Sequence, residues 1–330
     1  MKKTICLVLA LVLLVSIFTL FGCTKRDYNT IRLNEVTHSI FYAPQYLAMA
    51  LGYFADDGLT IELANGSGAD KVMTAIVTDE ADIGLLGTEA GIYVYLQGRK
   101  DYPKVVGQLT KRDGSFLVSR INEPDFDFTG LTGKSVLMGR KGGMPAMILQ
   151  YILNNHGYHD GNNITMNYEY AFGVLAPTFI GGTGDYVPLF EPVASKVQSE
   201  KNGYIVSALG SESGTIPYTV YMASQTYLRE HGDKVESFLR AVQKGTQYLF
   251  AHTSAEVAPL LAPYFEGTSV ELIKSALDNY KANDVWKTNP AMDEADFVRI
   301  QDIMENAGEL KARVPFDVLV DNSIANKVTK

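Results

Sequence analysis

The sequence predicts an α/β fold divided into two domains, and three observations lead to that prediction. Residues 31–63 read as strand, helix and strand, a βαβ unit that implies a parallel sheet with helices on its faces. The same alternation of strands, glycine loops and helices returns between residues 133 and 192. The chain has 330 residues, of which 46% are hydrophobic, so it can bury a core, and its length suggests two domains rather than one.

The first βαβ unit also marks where a site is expected. Apolar residues at Ile31, Leu33 and Val36 predict a strand, and residues 46–51 carry a helical apolar face that ends at Gly52. Alternation over residues 59–63 predicts a second strand. In parallel sheets, ligands bind where the carboxyl ends of strands meet the amino ends of helices. The junction at residues 37–42 is such a place, so we expect a binding site to begin there.

Later segments are assigned in the same way. Strands are predicted at residues 81–86, 105–109, 115–119, 133–138, 164–168 and 216–220. Helices are predicted at residues 71–77, from Gly87 onward, at 172–180, and at 146–154 after Pro145, which suits a first helical turn. From Ser224 the chain reads as helical. Thr268 and Glu271 predict a capping box, and Asp293 is a candidate cap for a further helix.

The amino end has the pattern of an export signal. Lys2 and Lys3 precede an apolar run over residues 5–21, and a small residue, Gly22, follows. A signal-anchor helix is the alternative, because the run is near the lower length limit for a membrane span. Cys6 and Cys23 are the two cysteines of the chain, so the mature domain has no pair for a disulfide and must rely on its core.

The charge of the chain excludes one class of partner. The formal net charge is −8, and removal of Lys2 and Lys3 makes the mature chain more acidic. It also lacks a basic stripe interleaved with aromatic residues. We therefore expect no nucleic-acid partner.

Several motifs that suggest catalysis or cofactors fail on spacing. Residues 130–135 resemble the end of a phosphate-cradling loop, but Phe128 stands where its first glycine is required. Gly66 and Gly68 do not form a dinucleotide fingerprint, because position 71 is Lys71. His156 and His159 have no Cys or carboxylate cluster at metal-ligand spacing. The sequence therefore predicts no cofactor, no metal site and no catalytic machinery.

One stretch carries a family resemblance. Residues 42–63, YAPQYLAMALGYFADDGLTIEL, resemble the opening of the solute-binding proteins of ABC importers for sulfonates, nitrate and thiamine-pyrimidine precursors, with Gly52-Tyr53-Phe54 and Gly58-Leu59 at the expected places. The resemblance implies a two-lobed, periplasmic-binding-protein-like fold of type II. Each lobe would be a mixed, mostly parallel sheet flanked by helices, with the ligand cleft between the lobes. Lobe 1 would comprise residues 31–115 and 217–330, and lobe 2 residues 116–216.

The residue after the export signal resembles a second family feature. Cys23 stands where the lipobox of bacterial lipoproteins has its acylated cysteine. This resemblance implies a signal peptide over residues 1–22, a palmitate-bearing lipid on Cys23 and a tether over residues 23–30. The mature protein would then be a monomer held at the extracytoplasmic face of the cell membrane, with the permease subunits of an importer as its partners.

The expected ligand-binding residues lie in loops at helix starts and in the segments facing them. For Glu89 the alternative is a first-turn carboxylate that stabilises its own helix by about 0.3–1 kcal/mol. Core packing is the alternative for each aromatic residue. Glu191-Pro192 corresponds to a Glu-Pro pair that lies near the cleft in the resembling family. The full set is His38, Ser39, Tyr42, Ser67, Gly68, Thr88, Glu89, Arg112, Gly143, Met144, Phe172, Asp185 and Glu191.

The charges of this set favour a neutral or cationic heterocycle, such as an aminopyrimidine, over an anion. An unpaired carboxylate in a closed cleft costs several kcal/mol, so Glu89, Asp185 and Glu191 would repel a sulfonate or nitrate. Arg112, Arg140 and Lys141 could instead serve an anion, which is the first alternative. An enzyme of pyrimidine metabolism on the same scaffold is another, although the Cys- and His-based motif of the related eukaryotic synthase has no counterpart. A surface protein without a small-molecule ligand is the third.

Overall fold

The computed structural model describes residues 27–329. The predicted signal peptide, Cys23 and the first half of the predicted tether therefore lie outside the described residues. Within residues 27–329, no helix is both long and apolar enough to cross a membrane.

Ten strands form two five-stranded sheets. The strands are β1 (Thr30–Glu35), β2 (Thr60–Asn65), β3 (Ile83–Gly87), β4 (Lys104–Thr110), β5 (Ser115–Ser119), β6 (Ser135–Leu137), β7 (Thr165–Asn167), β8 (Tyr186–Phe190), β9 (Tyr204–Ala208) and β10 (Thr219–Ala223).

Helices flank both sheets. They are α1 (Ala43–Ala50), α2 (Tyr53–Asp56), α3 (Ala69–Val77), α4 (Thr88–Leu96), α5 (Met144–Asn155), α6 (Leu175–Ile180), α7 (Val193–Ser199), α8 (Leu209–Ser213), α9 (Gln225–Ala251), α10 (Ser254–Leu261), α11 (Val270–Ala282), α12 (Glu294–Asn306), α13 (Phe316–Leu319) and α14 (Ala325–Val328). Three short 3₁₀ helices span Ile40–Tyr42, Phe172–Val174 and Ala262–Tyr264.

The first sheet has the strand order β2-β1-β3-β10-β4. Strand β1 is parallel to β2 and β3, with Leu33 opposite Leu63 and Ile83, so the predicted βαβ unit is present. Strand β10 is antiparallel to β3 and β4. Ile31 and Leu33 are fully buried, which explains the alternation seen in the sequence.

The second sheet has the order β7-β6-β8-β5-β9. Strand β6 is parallel to β7 and β8, and β5 is antiparallel to β8 and β9. Both sheets are thus mixed, and the chain has the two-lobed α/β architecture expected from the sequence. A cleft lies between the two sheets. Strand ends and helix starts of both sheets border it.

Two neighbouring segments connect the sheets. Residues 111–114 leave the first sheet after β4, and residues 214–218 return to it before β10. The N–H of Ile216 donates to the carbonyl of Lys111 over 3.0 Å, and the N–H of Tyr218 donates to the carbonyl of Thr110 over 3.2 Å. These two crossing segments therefore run side by side.

The structure corrects one predicted helix start and confirms the position of another. The cap of α11 is Ser269, whose hydroxyl accepts from the N–H of Leu272, so the predicted capping box at Thr268 is wrong by one residue. Asp293 stands at the N-cap position of α12, but its carboxylate pairs with Lys287 over 2.6 Å and makes no capping bond within the described residues. Nearby charge thus overrides the local preference for capping.

Candidate functional site

A cavity of about 210 Å³ lies between the two sheets. Lobe 1 contributes the ends of β1 and β3, the start of α3 and the start of β10, and lobe 2 contributes the end of β8 and the loop between β6 and α5. Carboxyl ends of strands and amino ends of helices therefore meet here, as the sequence predicted for this class of sheet.

Three helices begin on the wall of this cavity, and each has a glycine at its N-cap. Gly68 precedes α3, Gly87 precedes α4 and Gly143 precedes α5, and all three line the cavity. Within residues 27–329 none of the three helix starts receives a hydrogen bond from a capping side chain. The first N–H groups of a helix have no intrahelical acceptor, so these starts offer donors and positive potential to whatever lies in the cavity.

The carboxyl group of Glu89 lies at the junction of two of these helix starts. Glu89 is the second residue of α4 and is 2% exposed. Burial raises its pKa to about 7, while its own N–H, the Arg140 guanidinium and the N–H groups of Met144 and Ala90 act in the opposite direction. Because Met144 opens α5 in lobe 2, this carboxylate interacts with both lobes.

In residues 27–329, one oxygen of Glu89 lacks a hydrogen-bond donor. Oε2 is buried and has no hydrogen-bond partner within the described part of the chain. It lies against Gly87, where an added Cβ would collide with it, so a glycine is needed for this position of the carboxylate. A buried acceptor without a partner is costly, and a donor group on a ligand would remove that cost.

Aromatic rings form much of the remaining wall. Tyr42, Phe172, Phe190 and Tyr218 line the cavity, and Tyr42, Phe190 and Tyr218 are each less than 9% exposed. The rings of Phe172 and Phe190 meet edge to face with centroids 5.3 Å apart, and those of Phe190 and Tyr218 are 6.0 Å apart. Walls of this kind suit a flat, partly apolar ring, because each well-placed aromatic contact adds about 0.5–1.5 kcal/mol.

Charged residues stand at the rim of the cavity. Asp70 of lobe 1 faces Arg140 of lobe 2, with the carboxylate oxygen and guanidinium nitrogen 3.9 Å apart and both side chains about half exposed. Lys71 also lines the cavity. Beside this pair, the Tyr93 hydroxyl of α4 donates to the carbonyl of Gly142 in lobe 2 over 3.0 Å. The rim therefore holds the two lobes together by polar contacts that water can reach.

The structure brings about half of the predicted site residues together. Seven of them line the cavity: Tyr42, Ser67, Gly68, Glu89, Gly143, Met144 and Phe172. The other six are absent from its lining: His38, Ser39, Thr88, Arg112, Asp185 and Glu191.

Two carboxylates of the second group are occupied by contacts within the protein. Glu191 accepts from the N–H and hydroxyl of Ser195 and from the side-chain amide of Asn279. Asp185 accepts from the N–H of Ser135 over 2.8 Å. The expectation that Glu191 faces the cleft does not match this placement, because its acceptors already have donors that lie beside it in the folded chain.

The remaining four residues of this group make structural contacts. The His38 ring contacts Glu35 through Nδ1 over 3.0 Å and the carbonyl of Tyr264 through Nε2 over 2.5 Å. The remaining contacts are hydrogen bonds to backbone carbonyls: from Ser39 to Glu191 over 2.7 Å, from Thr88 to Pro217 over 2.6 Å, and from Arg112 to Gly210 over 3.5 Å.

Sequence reasoning missed several residues of the lining. Val36, Thr37, Met138 and Gly139 follow the ends of β1 and β6, so the strand-end rule could have found them. Phe190 ends β8, which is parallel to β6, so the same rule applies to it. Tyr218 had no such signal, because it lies in a crossing segment. Within residues 27–329, no group of three or more His, Cys, Asp or Glu side chains could hold a metal ion.

Comparison with known proteins places the chain in a family. The model of the family described as NMT1/THI5 like matches residues 40–255. The chain is 38% identical over 313 residues to the candidate binding protein YtlA of Bacillus subtilis (strain 168), covering 94% of each chain. It is 25% identical over 229 residues to a 4-amino-5-hydroxymethyl-2-methylpyrimidine phosphate synthase of Aspergillus parasiticus, covering 65% of each.

Comparison of structures leads to the same fold. The periplasmic nitrate-binding protein NrtA from Synechocystis PCC 6803 superposes with a TM-score of 0.75 at 15% identity, covering 92% of this chain and 89% of NrtA. The two mixed, helix-flanked sheets are thus those of the periplasmic-binding-protein fold. With this architecture, the matched residues 40–255 and the 38% identical relative, the chain belongs to the NMT1/THI5-like family.

Proposed function

We propose that this protein is the solute-binding component of an ABC importer and that it captures a small nitrogen heterocycle between its lobes. Lobe 1 comprises residues 31–115 and 217–330, and lobe 2 residues 116–216. The family and the relationship to a binding protein support the general role. The single observation that carries the ligand class is the unpaired Oε2 of Glu89 in an aromatic-walled cavity.

An aminopyrimidine matches both features of this cavity. Its flat ring packs among Tyr42, Phe172 and Phe190, and its exocyclic amine donates to Glu89. Since the buried acceptor then has a donor, closing the lobes on this ligand no longer leaves an unsatisfied group. The name of the fungal synthase relative contains such a pyrimidine, which makes the thiamine-pyrimidine-precursor class the first to test.

A small anion such as an alkanesulfonate or nitrate is the second candidate. The observation that favours it is the convergence of three helix starts with Lys71 and Arg140 on the same cavity. Glu89 opposes it, because an anion in this cavity would lie next to a buried carboxylate.

The proposed role is capture and delivery without chemical change. An enzyme of pyrimidine metabolism on this scaffold is the competing proposal, and the synthase relative is the reason to test it. If the protein is a carrier, ligand incubated with it and recovered after unfolding has an unchanged mass. A new product that scales with protein concentration would establish the enzyme instead.

We also propose that the mature chain is a lipid-anchored monomer on the extracytoplasmic face of the cell membrane. Cleavage after Gly22 would leave Cys23 to carry the lipid, and residues 23–30 would form the tether. Wild-type protein expressed with its signal should partition into detergent and carry an acyl mass on its amino-terminal peptide. Cys23→Ser should remain in the aqueous phase. Equal partitioning of the two would argue against the anchor.

The ligand class is tested by thermal shift and calorimetry with a panel of 4-amino-5-hydroxymethyl-2-methylpyrimidine, thiamine, flavins, purines, ethanesulfonate and nitrate. We expect the aminopyrimidine to bind, and Glu89→Gln to weaken it at least about tenfold, since a hydrogen bond to a charged group contributes about 1.5–3 kcal/mol. Glu309→Gln, outside the cavity lining, is the matched control and should bind normally. A wild-type protein that binds only the anions would overturn the proposal.

A further inference from the structure

We propose that Glu89 acts as a built-in counter-ion that occupies an oxyanion site formed by converging helix starts, and so sets the charge of the ligand that this protein accepts. This inference rests on the proposed function and deepens it. It assigns a specificity-determining role to one side chain, and it implies that a latent site for a small oxyanion lies beneath that side chain.

The first argument is the backbone that surrounds the Glu89 carboxylate. Helices α3, α4 and α5 contain nine, nine and twelve residues, and each begins at a glycine on the cavity wall. In the described part of the chain, these glycines supply no capping side chain. The first N–H groups of these helices and the positive ends of their dipoles therefore converge on one volume, which is the arrangement that binds oxyanions.

The second argument is that a buried carboxyl group of the protein, that of Glu89, already occupies this volume. The Glu89 carboxylate interacts with its own N–H and that of Ala90 at the start of α4, and with the N–H of Met144 at the start of α5. Its side chain is 2% exposed, and Oε2 has no partner within residues 27–329. The protein itself thus supplies the negative charge, and only part of the acceptor capacity of this carboxylate is used by the described residues.

The third argument is the charge balance of the cavity. Its lining holds two cationic side chains, Lys71 and Arg140, and two acidic ones, Asp70 and Glu89. The net charge of these four side chains is zero when Glu89 is ionised, and it is positive when the Glu89 charge is removed. An anionic solute is therefore excluded by repulsion from Glu89, and it would be attracted once that carboxylate is gone.

Replacing Glu89 should reverse the specificity of the cavity from heterocycle to anion. The size of the effect should depend on the volume of the new side chain as well as on its charge. Glu89→Ala removes both the charge and the atoms that occupy the site, so ethanesulfonate or nitrate should bind at least tenfold more tightly than to wild type. Glu89→Gln removes the charge but leaves an amide in place, so it should show a smaller gain. Both variants should lose affinity for the aminopyrimidine.

The experiment is calorimetric titration of ethanesulfonate and nitrate into wild type, Glu89→Ala and Glu89→Gln, in a Tris buffer free of sulfonates. Glu309→Ala removes a carboxylate close to Gly142 but outside the cavity lining, and it should show no gain. Thermal unfolding confirms that each variant is folded. Should Glu89→Ala fail to fold, Gly87→Ala provides the test, because its Cβ would displace the Glu89 carboxylate without removing it.

Two results would overturn the inference. One is a folded Glu89→Ala that binds neither anion more tightly than wild type does. The other is an equal gain in Glu309→Ala, which would indicate a general change in charge rather than a site. Neither result bears on the proposed function, which instead fails if wild type binds no heterocycle of the panel.

Discussion

At the scale of single residues, the proposed hydrogen bond from a ligand to Glu89 predicts that binding depends on pH. The pKa of the ligand-free carboxyl is about 7, raised by burial. A ligand that donates to this group favours its charged form, so binding lowers the pKa and releases a proton. Affinity therefore increases as the pH rises through 7.

We expect the affinity for the aminopyrimidine to increase roughly tenfold between pH 6 and pH 8, the change in the charged fraction of a group with this pKa. Calorimetry at pH 6, 7 and 8 measures it. Glu89→Gln is the control and should show a flat profile, apart from any ionisation of the ligand itself. An identical pH dependence in Glu89→Gln would assign the effect to another group.

His38 provides a second pH effect, this time on stability. The hydrogen bond to buried Glu35 raises the pKa of His38, with a smaller contribution from the Tyr264 carbonyl. Because the pKa of His38 is higher in the folded state than in the unfolded state, its contribution to the free energy of unfolding is fully present below the unfolded pKa. It is lost as the pH rises through the folded pKa.

We expect His38→Asn to lower the free energy of unfolding more at pH 5.5 than at pH 8.5. The difference should be at most about 1 kcal/mol, the value of a partly exposed ion pair. Urea denaturation of both proteins at the two pH values measures it. A variant that is equally destabilised at both values would show that His38 contributes packing against Phe265 rather than charge.

At the scale of elements, a glycine controls how closely two helices pack. Helix α9 lies against α1, and Gly245 of α9 faces the backbone of Pro44, with whose carbonyl oxygen an added Cβ would collide. Gly232 directly follows a kink of α9 at His231, and an added Cβ there would meet no atom within 4 Å. The two glycines thus differ in packing, although both lie after this kink.

We expect Gly245→Ala to destabilise the protein by roughly 1–3 kcal/mol, the cost of overpacking a tight contact. Gly232→Ala, the control, should change stability by at most about 0.5 kcal/mol, because its Cβ meets no atom and the position directly follows the kink. Thermal and urea unfolding of both variants test the pair. If Gly245→Ala stabilised the protein instead, α1 and α9 would have to move apart without losing packing energy.

At the scale of the whole molecule, contacts across the cleft hold the lobes together. Tyr93 donates to Gly142, Asp70 faces Arg140, and Asn154 donates to Asn306 over 2.9 Å. Tyr93 and Glu89 are four residues apart on α4, so they lie on the same face of that helix. Tyr93 contacts the loop before α5, and Glu89 interacts with the first residue of α5. A ligand can shift the balance between open and closed forms only by its differential affinity for them.

We expect Tyr93→Phe to weaken ligand binding about two- to tenfold, the value of one net hydrogen bond. Small-angle scattering should show a larger radius of gyration for the ligand-free variant than for ligand-free wild type, and saturating ligand should remove the difference. Tyr95→Phe, on the same helix and packed on Tyr102, should behave like wild type. Unchanged dimensions in Tyr93→Phe would show that this contact does not hold the lobes together.

Features of the fold that depend on residues close together in the chain were predicted from the sequence, and features that depend on residues far apart were not. The strands at residues 31–36 and 81–86 and the helix at 71–77 were predicted to within about two residues, because buried faces repeat with the period of the element. The start of α11 was placed one residue early, because Thr268 and Ser269 can both cap a helix and the choice depends on packing.

The sequence predicted the type of segment that forms the candidate site, but only some of the residues that line it. Loops at helix starts were expected, and Gly68, Glu89, Gly143 and Met144 line the cavity. The family resemblance favoured Glu191 over Glu89, whereas the cavity lining contains Glu89 and not Glu191. The residues alone do not separate the two, because each follows a strand and each is a carboxylate near a helix start. The donors that occupy Glu191 include Asn279, which is 88 residues away along the chain.

By itself, the sequence determined the α/β alternation, the two-lobed architecture and the glycine loops before the helices, because these depend on periodicity and backbone conformation within short segments. Only the tertiary structure decided which carboxylate faces the cavity between the lobes. The Glu89 carboxylate meets Met144 and Arg140 of the other lobe, whereas Glu191 meets Ser195 and Asn279. The physical reason is that a buried charge depends on partners brought together by folding, and these partners are distant in the chain.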